Sequence, residues 1–224
     1  MEDAQNHGGF GHTWCMGDVV GYGPDPAACI KLLRQLDAVC VCGNHDLAAV
    51  GKIDIDDFSY EAGSANRWTA GQLGDEDRAF LSGLPDLLVE YDFTIVHGSP
   101  RLPVWEYIIH TFTAEDNFQR FDTRFCIVGH THVPFLFTRD GLEVRGKALR
   151  EGDALVLGDK RLIINPGSVG QPRDRDPRAS YAIFDAEEMV LHNYRVSYDV
   201  AATQMKMEEV GLPDFLVSRI AWGV

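Results

Sequence analysis

The chain has 224 residues, of which 45% are hydrophobic and 24% charged, and its formal net charge is −14. This length suits one α/β domain with a buried core; no apolar run approaches the ~20 residues that span a bilayer, and Met1–Gly11 lacks the apolar segment of a signal peptide. The acidic balance disfavours nucleic acid as a partner, whereas a small phosphorylated substrate stays compatible because bound cations reverse the local charge.

The cysteines predict reduced thiols. There are five of them, an odd number, and the chain lacks the paired C-x-x-C elements of a zinc ribbon. Buried thiols in a reducing compartment are therefore expected, and with no signal peptide this predicts a cytoplasmic protein.

The N-terminal part of the chain predicts a βαβ unit. A short apolar strand, Thr13–Met16, is followed by the turn-rich loop Gly21–Pro26. A helix over Ala27–Leu36 and a strand over Ala38–Cys42 come next. Strand, crossover helix and strand in this order imply a parallel pair.

The middle of the chain alternates between helices and strands. Ile53–Ala70 is polar, acidic and partly helical, which predicts a surface elaboration. Asp75 is expected to cap a helix that continues to Leu81. The remaining elements predicted here are the strands Leu87–Tyr91 and Phe93–Val96, the helix Phe112–Phe121 and the strand Arg124–Val128.

Beyond Gly129 the pattern changes to short strands separated by turns, which predicts a largely antiparallel second sheet. These strands are Phe135–Thr138, Leu142–Arg145, Ala154–Leu157, Arg161–Ile164, Tyr181–Phe184 and Val190–Val196. A helix around Ala201–Val210 opens a C-terminal helical segment over residues 201–224. We find no linker, so residues 1–224 are predicted to form a single α/β domain with two packed mixed β-sheets flanked by helices.

Four short polar blocks follow predicted strands. They are Gly17-Asp18, Gly43-Asn44-His45-Asp46, His97-Gly98 and Gly129-His130-Thr131-His132. Ligands gather beyond the carboxyl ends of strands in open α/β sheets, and mixed carboxylate, amide and imidazole ligands suit Mn²⁺, Fe²⁺ or Zn²⁺ better than Ca²⁺. Two such ions held ~3.5–4 Å apart can activate water for in-line attack on a phosphoryl group. The blocks therefore predict a two-metal hydrolytic centre.

The blocks and their order resemble the calcineurin-like metallophosphoesterase superfamily, whose pattern is D-x-H, G-D, G-N-H-[ED], H-G and G-H-x-H. The resemblance runs from about Trp14 to Gly170. Gly17–Pro26 and Asn165–Gly170 are similar to the small bacterial and archaeal phosphodiesterase-type branch. This resemblance implies a four-layer α/β/β/α sandwich and two bound divalent metal ions, with Mn²⁺ expected first and Fe, Zn or Ni as alternatives.

The resemblance also implies which residues would be ligands. Asp18 would bridge both metal ions. Asn44, His97 and His130 would complete one metal site, and His132 would belong to the other.

Three further residues are candidates for catalysis or for binding the substrate. His45 would protonate the leaving oxygen or stabilise developing charge, and Asp46 would orient His45 or support it from behind. Arg101, just after His97-Gly98-Ser99-Pro100, is a candidate for binding the substrate phosphate. The family implies hydrolysis of phosphodiesters or small phosphomonoesters by a metal-bridging hydroxide, with no covalent enzyme intermediate.

One block of the family pattern, the D-x-H that ends the first central strand, is absent from this chain. Asp3, His7 and His12 have the wrong spacing to replace it. Met1–Gln5 is similar to the end of the helix that follows that strand, so residues 1–12 are interpreted as the remnant of a helix and turn after a late start or in a fragment. The alternative function is therefore a non-catalytic scaffold or binding module with an impaired metal centre.

The other features receive plainer interpretations. Asp54–Asp57 lacks the remaining ligands of a calcium loop, and Arg173–Asp176 alternates in sign, so both predict solvated surface. His130-Thr131-His132 lacks the H-E-x-x-H spacing of a zinc protease. The motif-free segments Ile53–Ala70 and Arg101–Phe121 are expected to set substrate specificity, and association into a homo-oligomer is left open.

Overall fold

A computed structural model describes residues 1–224. Its helices are α1 (Glu2–Asn6), α2 (Pro26–Gln35), α3 (Asn44–Ala49), α4 (Tyr60–Gln72), α5 (Asp75–Ser82), α6 (Thr111–Asn117), α7 (Val200–Glu209) and α8 (Asp214–Arg219). Its strands are β1 (Trp14–Cys15), β2 (Val39–Cys40), β3 (Leu87–Glu90), β4 (Phe93–Val96), β5 (Phe125–Ile127), β6 (Phe135–Asp140), β7 (Glu143–Ala148), β8 (Ala154–Val156), β9 (Arg161–Asn165), β10 (Ala179–Asp185) and β11 (Val190–Val196). No helix combines the length and apolarity that crossing a membrane requires.

The largest sheet has six strands in the order β3-β4-β5-β9-β6-β7. Strands β4, β5 and β9 are parallel neighbours, and β3, β6 and β7 pair antiparallel at the two ends. The prediction that β6, β7 and β9 belong to a separate antiparallel sheet was therefore wrong. The reason is visible in β9, where Ile163 packs on one face and Leu162 and Ile164 on the other. A strand that is apolar on both faces occupies a central position of a covered sheet.

The remaining strands form two smaller sheets. Strands β10, β11 and β8 form an antiparallel sheet in that order. Strands β1 and β2 pair in parallel, with Trp14 opposite Val39 and Cys15 opposite Cys40, which confirms the predicted βαβ unit. Both small sheets pack on the same face of the six-stranded sheet, because the ring of Phe93 lies 5.0 Å from Trp14 and 5.1 Å from Phe184.

Helices cover the outer faces. On the far side of the six-stranded sheet, α6 contributes Ala114 to a buried cluster with Cys126 and Ile163. Around the β1–β2 unit, α2 and α5 bury Ile30 and Leu81 in a common cluster. The molecule is thus a mixed α/β protein whose stacked sheets are flanked by helices, as the sequence predicted.

Several details of the helices were not predicted. Helix α3 begins where only a strand end was expected, and α8 follows α7 within the C-terminal segment. Gly74, not Asp75, is the N-cap of α5, and its backbone N–H donates to Asp77. Cys29 lies exposed on α2, which corrects the expectation of buried thiols, although every cysteine is unpaired as predicted.

Candidate metal centre and its cavity

The predicted ligands come together at the carboxyl ends of β1, β2, β4 and β5. All of them except His97 line a cavity of about 360 Å³, and His97 contacts Asp18 and His130. Asp18, His97 and His130 form one cluster, in which one potential ligand atom from each lies within 4.8 Å of the others. Asn44 and His132 line the same cavity beside Asp18 and His130. The four sequence blocks therefore converge on one place, as the strand-end argument expected.

The two imidazoles of the cluster point their free nitrogens at each other. His97 Nε2 lies 3.3 Å from Oδ2 of Asp18 and 2.9 Å from Nδ1 of His130. The opposite nitrogens face carbonyl oxygens, with His97 Nδ1 2.7 Å from Met16 O and His130 Nε2 3.3 Å from Trp105 O. Donation to these carbonyls fixes the tautomers and leaves the lone pairs of His97 Nε2 and His130 Nδ1 facing each other beside the Asp18 carboxylate. Such an arrangement calls for a cation between the rings.

His132 and Asn44 provide two more donors. His132 Nδ1 lies 2.7 Å from the carbonyl oxygen of Gln171, which leaves Nε2 free. Oδ1 of Asn44 is buried and has no hydrogen-bond partner. A buried amide oxygen without a donor is costly, and a metal ion would satisfy it. The residues present therefore fit a divalent metal centre.

The side chains around the site have protonation states that suit a bound cation. Burial alone would raise the pKa of Asp18, but His97 and His45 hold it well below its usual range. Burial lowers the pKa of His130 to about 3, with help from the charge of His97. Burial and Arg173 likewise lower the pKa of His132 to about 3. One carboxylate beside neutral imidazoles is the ligating state of these side chains.

His97 differs from the other imidazoles. Burial disfavours its charged form, but the Asp18 carboxylate outweighs burial and raises the pKa of His97. Its side chain is 1% exposed. The position between Asp18 and His130 therefore attracts positive charge, whether from a proton or from a metal ion.

Strained backbone holds the ligand loops in place. Asp18, His130 and His132 all have left-handed backbone, with φ of 52°, 59° and 60°. Gly17 and Gly43 are required by a close approach of two loops, because a Cβ on Gly17 would lie 2.6 Å from the backbone nitrogen of Gly43. Non-glycine residues in this region cost of order 1–3 kcal/mol each and cluster at functional sites.

His45 lies beside the cluster, 3% exposed, in the first turn of α3. Its backbone N–H donates to Oδ1 of Asp18 over 3.0 Å. Its ring Nδ1 lies 3.0 Å from Nδ2 and 3.2 Å from Oδ1 of Asn66, which is fully buried in α4. Asn66 therefore orients the His45 ring. The sequence carried no signal for this role, because Asn66 lies in the motif-free segment.

Of the two roles considered for Asp46, the contacts of its side chain fit support of the centre and not a contact with the His45 ring. Its Oδ2 accepts the backbone N–H of Gly43 over 2.9 Å, and its Oδ1 accepts that of Val20 over 3.1 Å. The carboxylate thus ties the loop after β1 to the start of α3, and the contact that orients His45 comes from Asn66. Asp46 supports the centre through the backbone.

Arg101 is not brought to the cavity. Its guanidinium pairs with Glu106 and, over 2.9 Å, with Asp116. Glu106 also accepts hydrogen bonds of 2.7 Å from Ser99 Oγ and from Asn117 Nδ2. This network holds the connection between β4 and α6, and Arg101 is part of that support.

Arg173 and Arg219 occupy the cavity wall instead. The expectation that Arg173 lies on solvated surface was wrong, because Arg173 is only partly exposed and lines the cavity. Its backbone N–H donates to the carbonyl oxygen of His132 over 3.2 Å. That bond brings the β9–β10 connection against the ligand loop. The two motif-free segments also reach the cavity, one through Asp57–Ala62 and the other through Trp105 and Tyr107.

Comparisons with known proteins agree with this geometry. The sequence profile of the calcineurin-like phosphoesterase superfamily domain matches residues 2–189. An uncharacterised protein of Methanocaldococcus jannaschii is 36% identical over 229 residues, covering 100% of this chain and 90% of that protein.

Two crystal structures are similar along the whole chain. The metallophosphoesterase of Sphaerobacter thermophilus is 45% identical, with a TM-score of 0.90, and the match covers 100% of this chain and 93% of that one. A hypothetical protein of Pyrococcus horikoshii shares the fold at 21% identity and a TM-score of 0.77, with 100% and 90% coverage. The chain therefore belongs to the calcineurin-like phosphoesterase superfamily.

Proposed function

We propose that this protein is a metal-dependent phosphoesterase that hydrolyses phosphodiesters or small phosphomonoesters, with water as the nucleophile. The observation that carries the proposal is the convergence of Asp18, His97 and His130, of which Asp18 and His130 line a cavity. Membership of a phosphoesterase superfamily supports the reaction class. The partner we propose is a small phosphorylated molecule.

We assign four donors to one metal position and two to the other. Asp18, Asn44, His97 and His130 would hold one divalent ion, and Asp18 with His132 would contribute to a second. Mn²⁺ is the ion we propose, because these donors mix hard oxygen and borderline nitrogen. Divalent ions bound there would supply a Lewis acid that offsets the negative charge of a phosphoryl group.

His45 is proposed as the residue that assists the leaving oxygen. Burial lowers the pKa of His45, so the free protein holds a neutral ring at pH 7. An approaching phosphoryl dianion favours the charged form of a neighbouring imidazole. His45 can then donate a proton to the leaving oxygen or stabilise its charge, while Asn66 fixes the orientation of the ring.

The test is metal content together with ester hydrolysis. Protein loaded with Mn²⁺ and desalted is measured by elemental mass spectrometry and assayed with bis(4-nitrophenyl) phosphate and with 4-nitrophenyl phosphate. We expect at least one equivalent of metal and hydrolysis of one or both esters. His130→Gln should lose metal and activity, whereas the matched variant His12→Gln, at an exposed position, should keep both.

Two results would count against the proposal. Equal metal content in the parent protein and in His130→Gln would remove the metal assignment. A protein that binds metal at this cluster but hydrolyses neither ester would favour the non-catalytic scaffold.

A further inference from the structure

Two arginines line the cavity from different parts of the chain. Arg173 comes from the β9–β10 connection and Arg219 from the last residue of α8. The Cζ atom of Arg173 lies 5.5 Å from the ring centroid of Tyr22, and that of Arg219 lies 5.1 Å from the ring centroid of Phe215. A guanidinium stacked on an aromatic face keeps its N–H edge available for an oxyanion.

Neither guanidinium forms an ion pair with an aspartate or glutamate side chain. Arg173 donates to Oε1 of Gln171, over 2.8 Å from Nη2, and Nε of Arg219 donates to the main-chain oxygen of Val224, the last residue of the sequence. Asp57 also lines the cavity but forms an ion pair with neither arginine. Both arginines line the same cavity, so their like charges repel each other there, and burial together with the charge of Arg173 lowers the pKa of Arg219. An anion between them would relieve that repulsion.

Aromatic side chains also line the cavity. Trp105 and Tyr107 are 37% and 46% exposed although they are large and apolar. The ring of Phe58 lies 5.3 Å from that of Trp105, and Tyr107 stacks on His130 at 4.0 Å with an interplanar angle of 11°. Exposed aromatic faces beside a polar cluster are suited to stacking against a planar ring.

We propose that the cavity selects phosphate esters that carry a planar aromatic group, such as aryl or nucleoside phosphates. Arg173 and Arg219 bind phosphoryl oxygens, and Phe58, Trp105 and Tyr107 hold the ring. The cavity volume of about 360 Å³ lies within the ~300–1,000 Å³ of small-molecule sites. This inference rests on the proposed phosphoesterase function, because it names the substrate class of the same cavity.

The experiment measures binding by titration calorimetry on Mn²⁺-loaded and on chelator-treated protein. The probes are phosphonates, whose C–P bond the proposed reaction does not cleave: benzylphosphonate, methylphosphonate and the 5′-phosphonate analogue of AMP. We expect the two aromatic probes to bind at least about tenfold more tightly than methylphosphonate, because stacking of one ring contributes a gain in affinity of that size. Tighter binding of the AMP analogue than of benzylphosphonate would identify the preferred group as a nucleoside. Tighter binding of benzylphosphonate would identify it as a simple aryl group.

Variants separate the two halves of the site. Arg173→Gln and Arg219→Gln should each weaken all three probes by about tenfold, the loss expected for a charge-assisted hydrogen bond. Trp105→Ala should weaken the binding of the aromatic probes only, and Trp105→Phe should restore that binding. The matched control is Arg145→Gln, because Arg145 is 76% exposed and pairs with Glu143 away from the cavity.

The inference is overturned if benzylphosphonate and the AMP analogue bind no more tightly than methylphosphonate. It is also overturned if the arginine variants leave affinity unchanged. Because binding is measured without turnover, a protein that hydrolyses no ester but shows these preferences would contradict only the proposed function.

Discussion

At the scale of single residues, Gly43 is the position where space is tightest. A Cβ on Gly43 would lie 2.0 Å from Oδ1 and 2.4 Å from the backbone nitrogen of Asp18. Gly43→Ala should therefore displace Asp18, lower the free energy of unfolding by about 1–3 kcal/mol and reduce retained Mn²⁺. Denaturant titration and metal analysis after desalting check this.

Gly71→Ala is the matched control for that substitution. Gly71 lies inside α4, and a Cβ there meets nothing within 4 Å. Alanine in a helix interior is favoured over glycine by roughly 0.5–1 kcal/mol. The control should therefore be slightly more stable and retain its metal. Equal behaviour of the two variants would show that the Asp18 loop has room to move.

Asn66 gives a prediction about pH dependence. In the parent protein burial lowers the pKa of His45, and an amide faces its Nδ1. Asn66→Asp would place a carboxylate there, which favours the charged imidazole and raises the pKa of His45. In the pH profile of hydrolysis, the limb that follows the ionisation of His45 should then move to higher pH. KM should change less than kcat.

The control for this shift is Asn6→Asp, which adds the same charge at an exposed position of α1. It should leave the profile in place, since distant exposed charges are screened. An unchanged profile in Asn66→Asp would mean that His45 does not titrate in the rate-determining step. A purely structural role for Asn66 would lower activity equally at every pH.

At the scale of elements, Glu106 holds the β4–α6 connection that carries Trp105 and Tyr107. Burial would raise the pKa of Glu106, but the bonds from Arg101, Ser99 and Asn117 lower it in the folded protein. A depressed folded-state pKa contributes stability above the unfolded value near 4.5, and that contribution is lost as the pH falls through the folded value.

Glu106→Gln should therefore be less stable than the parent near pH 7, by about 1 kcal/mol because Arg101 is partly solvent-screened. The gap should close as the pH falls through the folded-state pKa of Glu106, which lies below 4.5, because the parent carboxylate is then also protonated. Thermal unfolding at a series of pH values measures the gap. A gap that stays constant with pH would assign the loss to packing and not to the carboxylate charge.

At the scale of the whole molecule, the sequence predicts where strands end better than it predicts which distant residues come into contact. Asp18 and His130 were predicted because each follows an apolar strand, a pattern visible along the chain. The roles of Asn66 and Arg173 could not be predicted. These residues lie on a helix and on a loop that approach the site only in the folded protein. Likewise β9 was assigned to the wrong sheet, since strand pairing depends on neighbours that sequence periodicity does not specify.

Phe93 shows how these distant parts depend on one another. It is 3% exposed, and its ring lies about 5 Å from Trp14, Phe125 and Phe184, so it contacts the neighbouring strand β5 of its own sheet and the two small sheets. Removing such a ring from a packed core costs roughly 3–5 kcal/mol. Phe93→Ala should lower the free energy of unfolding by that amount, measured by denaturant titration.

The control is Val89→Ala, because Val89 is 61% exposed on β3, and it should change stability by less than about 0.5 kcal/mol. The parent protein should unfold in one transition, with circular dichroism and tryptophan fluorescence coinciding. If Phe93 couples the three sheets, Phe93→Ala moves both signals together to lower denaturant. Two separated transitions in the parent protein would show instead that the sheets unfold independently, so that Phe93 does not couple them.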